Sequence, residues 1–147
     1  MTTVGKHLVA TCLSVLLSGC GAALDQVYAQ VRPSMLQGQF EQASAQIEVA
    51  KKQGVYEEKD RLLYYMDMAA LLHYAKKFKE SNTWLEQAKT AYEELWTESI
   101  TSNAGALLTT DNNLPYPGED FEAIQIHVLA SLNYMGLFEY SEARVEA

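Results

Sequence analysis

The sequence predicts an all-α fold built from antiparallel helix pairs, and three observations predict it. Glycine and proline are scarce, 8 and 3 of 147 residues, while Glu, Gln, Ala, Leu and Tyr are frequent, a mixture that favours helix. Apolar residues recur at helical spacing through most of the chain beyond residue 34. A six-residue block then occurs three times: Gly38-Gln39-Phe40-Glu41-Gln42-Ala43, Lys76-Lys77-Phe78-Lys79-Glu80-Ser81 and Phe138-Glu139-Tyr140-Ser141-Glu142-Ala143. Each block carries an aromatic residue and, three positions later, a small one. An aromatic at a tight turn can wedge between two helices, and a small residue one turn on lets them approach closely. Ile47, Leu85 and Ala147 follow four residues after the small position, continuing one face of the second helix.

The elements follow in order. Residues 1–19 read as an export signal. Lys6 and His7 form a short polar start, and Leu8 to Leu17 is an apolar run of ten residues, half of the roughly 20 that a membrane-spanning helix needs. Leu17-Ser18-Gly19-Cys20 resembles the lipobox of bacterial lipoproteins: an aliphatic residue, two small residues and a cysteine. That resemblance implies cleavage before Cys20, a diacylglycerol on its sulfur and acylation of the new amino group. Two or three acyl chains anchor firmly where one binds only marginally. Gly21, in place of Asp, implies sorting to the outer membrane, facing the periplasm. Cys12 leaves with the signal, so no disulfide is expected.

Residues 20–33 read as a tether and the start of the first helix, interrupted by Pro33, and residues 34–147 as the helical-repeat domain. In the second pair, Asp60 is a plausible N-cap, and Tyr65, Met68 and Leu72 precede the turn. The helix after that turn is long, with Ser81, Leu85, Ala88, Tyr92, Leu95 and Ser99 on one face and Trp84 and Trp96 near its edges. Residues 104–118 form an inserted loop, in which Pro115, Pro117 and Gly118 make the turn and Tyr116 and Phe121 pin it to the helices. The third pair opens with Glu119 and Asp120, acids where the helix dipole favours them, and carries the stripe Phe121, Ile124, Val128, Leu132, Met135. Tyr140 to Ala147 begins a helix that stops after about two turns. We read this as truncation at the C-terminus, and it predicts an exposed apolar face on the last pair.

The three blocks resemble the turn and second helix of a tetratricopeptide repeat (TPR), so the expected architecture is a TPR-like α-solenoid. Phe40, Phe78 and Tyr140 are 38 and then 62 residues apart, a departure from the regular period of about 34. The helix from Leu62 to Phe78, together with Pro115, Tyr116, Gly118, Phe121 and Glu122, resembles an uncharacterised family of bacterial TPR-like lipoproteins over roughly residues 36–147. The resemblance implies a fold and no activity.

Charge and motifs narrow the function. Formal net charge is −8, and loss of Lys6 with the signal takes it to −9 in side-chain terms. So acidic a chain is a poor binder of phosphate backbones, and membrane attachment falls to the lipid on Cys20. Asp111, Asn113 and Glu122 match positions 1, 3 and 12 of an EF-hand loop, but Pro115 and Tyr116 break positions 5 and 6, so no metal is expected there. His73 and His127 read as packed helix residues. No catalytic motif is present, and neither enzyme activity nor a cofactor is expected. Tyr65, Tyr74, Tyr116 and Phe121 are the candidate protein-binding residues, offering apolar area and, for the tyrosines, a hydroxyl. The expected function is a membrane-anchored scaffold docking a protein or peptide partner in the cell envelope. The alternatives are a regulator acting through the 104–118 loop and an enzyme or metal-binding protein with an unrecognised site.

Overall fold

In a computed structural model of the protein, residues 20–102 and 115–147 are described, with side chains from 23 to 97 and from 115 onward. The signal segment and positions 103–114, which include most of the inserted loop, lie outside the described residues. The described chain is all-helical, and no strand occurs in it: α1 (Cys20–Leu36), α2 (Phe40–Lys52), α3 (Arg61–Tyr74), α4 (Phe78–Ser102), α5 (Asp120–Gly136) and α6 (Tyr140–Glu146), with a 3-10 turn at Glu58–Asp60 before α3. Each helix packs on the next in the chain, and α3 also touches α5.

Three hairpins, α1/α2, α3/α4 and α5/α6, share one turn. Gly38, Lys76 and Phe138 adopt left-handed φ angles of 71°, 62° and 63°. Their N–H groups donate to the carbonyls of Met35, His73 and Met135 at 3.0, 2.9 and 3.1 Å. The next N–H groups, of Gln39, Lys77 and Glu139, donate to Ser34, Leu72 and Tyr134, each at 2.9 Å. This paired pattern satisfies the last carbonyls of the first helix and reverses the chain.

The small residues of the three blocks, Ala43, Ser81 and Ala143, are all buried. Each lies where the two helices of its hairpin cross. The Ser81 hydroxyl donates to the Ala69 carbonyl across the second crossing, and the Ser131 hydroxyl to the Ala143 carbonyl across the third, at 2.7 and 3.0 Å. The serine stands on opposite helices in the two hairpins, yet makes the same bridge. The block aromatics reach forward to the next hairpin. Phe40 meets the Tyr74 ring at 5.4 Å, and Phe78 lies so close over Gly136 that a Cβ there would strike its ring. Tyr74 and Gly136 both stand two residues before the left-handed turn residue.

Two apolar cores result. One joins the first two hairpins through Val31, Ile47, Tyr56, Met68 and Leu72. The other joins the last two through Leu62, Leu85, Leu95, Ile126 and Ala130. The long α4 buries Ser81, Leu85, Ala88 and Leu95 of its predicted stripe together with Ala91, while Tyr92 is partly buried and Ser99 lies outside the residues whose side chains are described.

Two expectations need correction. Pro33 does not interrupt α1, which runs unbroken to Leu36. Proline sits here in the last turn, where its missing N–H deletes one bond while its carbonyl still accepts from Gln37 at 3.2 Å. Phe121 does not pin the loop to the helices, being 64% exposed. Tyr116 and Gly118 hold that segment instead. The expected exposed apolar face on the third hairpin is present: Phe121, Ile124, Val128, Leu132 and Met135 all stand open.

Candidate functional site

The first helices of the hairpins place two carboxylates on opposite walls of one cleft. Asp67 is the only charged residue of α3 after Arg61 at its first position. A carboxylate on so apolar a helix needs partners. It finds Tyr28 from α1 and Tyr56 from the α2–α3 connection, whose hydroxyls donate to Asp67 Oδ2 at 2.8 and 2.7 Å. Burial pushes the Asp67 carboxyl above the usual Asp range, against the two hydroxyl bonds that pull it down. Burial, then the Asp67 charge, push both tyrosines well above the usual phenol range, so they stay protonated and act as donors.

Across the cleft stands Glu122, the third residue of α5. The N-terminus of that helix is closed by reciprocal bonds: Glu119 accepts from the backbone of Glu122, and Glu122 Oε2 accepts from the Glu119 N–H at 2.9 Å. The same oxygen accepts from the Tyr116 hydroxyl at 2.5 Å, and the Tyr116 N–H donates to the Lys59 carbonyl at 3.0 Å. Gly118, at φ 82°, lets the chain pass against Leu62 and Tyr92, where a Cβ would lie 2.7 and 2.9 Å from their side chains. The loop exit is thus stitched to α3, α4 and α5 before the helix begins.

Between the carboxylates lies a cavity of about 180 Å³, walled by Leu63, Met66, Ala70, Gln125 and Leu129 as well as Asp67 and Glu122. Its walls are mostly aliphatic and its two charges are both negative. Among the described residues, neither carboxylate forms an ion pair with a lysine or arginine. Further along α3 and α5 the two hairpins are joined by a neutral network. Asn133, fully buried, donates from Nδ2 to Ser81 Oγ at 2.8 Å and to Asn82 Oδ1 at 2.7 Å. Its Oδ1 is therefore the acceptor for His73 Nδ1 at 2.6 Å, which fixes the proton on that nitrogen.

The four residues singled out from the sequence do not share a surface. Tyr65 is half-buried between α3 and α4, 5.8 Å from the Trp84 ring, on the wall of a separate shallow cleft with Arg61 and Glu94. Tyr74 is exposed beside the first turn, against Phe40. Tyr116 is the one that touches the cleft, through Glu122. Phe121 lies on the outer face of α5. His73 is a packed residue as expected. His127, expected to be packed as well, is instead half-exposed and ties α5 to α6 through Glu146 at 2.8 Å, beside Lys89 at 2.6 Å. Burial opposes ionisation of Glu146, but the Lys89 and His127 bonds hold its carboxyl below the usual range. Among the described residues, no three His, Cys, Asp or Glu side chains gather as metal ligands, and no helix is long and apolar enough to cross a membrane.

Sequence reasoning missed Asp67, Tyr28, Tyr56 and Asn133. A signal existed for Asp67: a lone acid in an otherwise apolar helix requires distant partners. Compared with protein-family models, curated proteins and solved structures, the chain matches nothing.

Proposed function

We propose that the chain is a lipid-anchored envelope protein, attached through Cys20, whose TPR-like hairpins dock a segment of a protein partner in the cleft between α3 and α5. The observation that carries the binding reading is the pair Asp67 and Glu122 on either side of an aliphatic cavity, with no lysine or arginine among the described residues paired to either. Such a cleft suits an aliphatic stretch bearing one Lys or Arg side chain, whose stem lies along Leu63, Met66 and Leu129 while its head meets the carboxylates. The tyrosine hydroxyls are engaged as donors to those carboxylates, an arrangement that fixes acceptors in place and favours recognition over turnover. The lipobox tetrad and the ten-residue apolar run before it support the anchoring, and the thrice-repeated turn supports the repeat reading. Gly21 after Cys20 favours the outer membrane, facing the periplasm.

The test is affinity capture of the full-length protein from its own host after mild cross-linking, beside Cys20→Ala and Gln125→Lys. Gln125 is exposed on the cleft rim, so a lysine there supplies the missing cation from within and blocks the site without disturbing the core. A discrete envelope partner, depleted by both variants, supports the reading. A partner that survives Gln125→Lys moves binding elsewhere, and no partner with wild type ends the scaffold reading.

A further inference from the structure

The second hairpin shows the face on which it carries the next. Counted back from the left-handed turn residue Lys76, positions 14, 10, 6 and 3 of the second hairpin are Leu62, Met66, Ala70 and His73. All four meet the third hairpin: Leu62 and Met66 pack in the core with Ile126 and Ala130, Ala70 walls the cavity with α5, and His73 bonds Asn133. Counted back from Phe138, the same positions of the third hairpin are Ile124, Val128, Leu132 and Met135. These are 65%, 50%, 45% and 52% exposed, with Phe121 and Phe138 open at the two ends. Helix α5 is therefore apolar on two opposite faces, and one of them has no cover in this chain's described residues.

The opposite end of the array is built differently. A groove between α1 and α2 of the first hairpin is lined by Gln30, Gln42, Gln46 and Gln53 together with Val27, Val31, Ala45, Val49 and Ala50. A head-to-tail contact there would set amides among the aliphatic contacts of the α5 stripe. Stripe against stripe puts aliphatic on aliphatic. Six side chains, each about half open or more, expose on the order of 600 Å², the upper end for a monomer's largest apolar patch. Two such faces bury on the order of 1,200 Å² in total, the lower bound for a stable specific interface.

We propose that this face is a two-fold interface between two copies of the chain, with α5 packed antiparallel to α5 of the second copy. The stripe runs from residue 121 to 135, so Val128 stands at its middle and lies on the two-fold axis, while Ile124 of each copy faces Leu132 of the other. Each copy carries a formal charge of −8, so association strengthens as salt screens the repulsion. The proposal does not rest on the cleft between α3 and α5, which points away from this face.

The test uses the full chain in its bacterial host with single cysteines added and a short bis-maleimide cross-linker. Any thiol of the unaltered chain is common to all samples. Val128→Cys is expected to give a covalent product of twice the chain mass. Thr90→Cys, exposed on α4, is expected to give only the background of the unaltered chain. Co-expressed Ile124→Cys and Leu132→Cys chains are expected to cross-link to each other more than either does to itself. In light scattering of the full chain, Val128→Asp is expected to weaken association by more than about 100-fold, and its circular dichroism, unchanged at this exposed position, reports that it folds. The proposal is overturned by equal yields at Val128 and Thr90, by no product from a folded Val128→Cys chain, or by a product whose mass is that of another protein. A stripe that is protected by lipid vesicles while the chain stays monomeric overturns it as well.

Discussion

The two junctions between hairpins solve the same problem with different chemistry. Between the first and second hairpins, polar groups meet around a charge: Tyr28 and Tyr56 converge on the Asp67 carboxylate. Between the second and third, they meet around a neutral amide: His73, Ser81 and Asn82 converge on Asn133. The amide is fully buried, both donates and accepts, and leaves nothing unpaired. The carboxylate only accepts, pays for its desolvation, and lies on the wall of an open cleft. The neutral junction is suited to holding the array together, and the charged one to meeting a ligand.

Breaking the neutral junction has the largest expected effect. Asn133→Ala leaves Ser81, Asn82 and His73 without their shared partner inside the fold, at a cost of about 3–4 kcal/mol. Urea unfolding followed by circular dichroism reads it, and a loss below about 1 kcal/mol would show that the network is dispensable.

Breaking the charged junction costs less and depends on what replaces the charge. Asp67→Ala strands the buried Tyr56 hydroxyl and is expected to lose about 2 kcal/mol. Asp67→Asn keeps an acceptor and removes the desolvated charge, so it is expected to match or exceed wild type near neutral pH. The sign follows from the raised Asp67 pKa. In the fold, the carboxyl holds its proton to higher pH than in the unfolded chain. Its contribution is therefore most favourable below the ordinary Asp pKa and is lost as pH rises through the raised folded value. The stability of Asp67→Asn relative to wild type is expected to increase from about pH 4 to about pH 7, in paired urea titrations. Glu146 has the opposite sign: its depressed pKa gives stability above the ordinary Glu value that is lost as pH falls through the folded one. Comparison with Asp67→Asn at each pH cancels that contribution.

Smaller effects sharpen the comparison at the backbone. Gly118→Ala places a Cβ against Leu62 and Tyr92 at a left-handed φ, and is expected to cost about 2–3 kcal/mol. Gly38→Ala has the same backbone demand with open space around it, so about 1 kcal/mol is expected. Equal losses would mean that the contact at Gly118 relaxes. The smallest effect runs the other way. Lys76 holds a left-handed angle that glycine prefers, and Lys76→Gly is expected to gain about 0.5–1 kcal/mol in thermal or urea unfolding.

What was legible in the sequence was local. The block aromatics and small residues mark the turns and crossings because both act within a few residues, and the long α4 announced itself by one unbroken stripe. The cleft was not legible in the same way. Asp67 meets Tyr28 across 39 residues, and His73 meets Asn133 across 60. No periodicity links such pairs. Periodicity was incomplete on α5: it shows the stripe at Phe121, Ile124, Val128, Leu132 and Met135, which stands open, and not the second side with Ile126, Ala130 and Asn133, which is the buried one. Pattern reports that a face is apolar, and packing alone reports which one is covered.

The unbroken course of α1 bears on geometry above a bilayer. Its described course reaches back to Cys20, helical without a break from that residue to Tyr28. At 1.5 Å per residue, Tyr28 stands about 12 Å along the axis from the point where an acyl chain would be attached. An anchor there would act as a short rigid post in place of a leash. It would hold the Tyr28–Asp67 junction within the layer nearest the headgroups and restrict its partners to segments that pass through that layer.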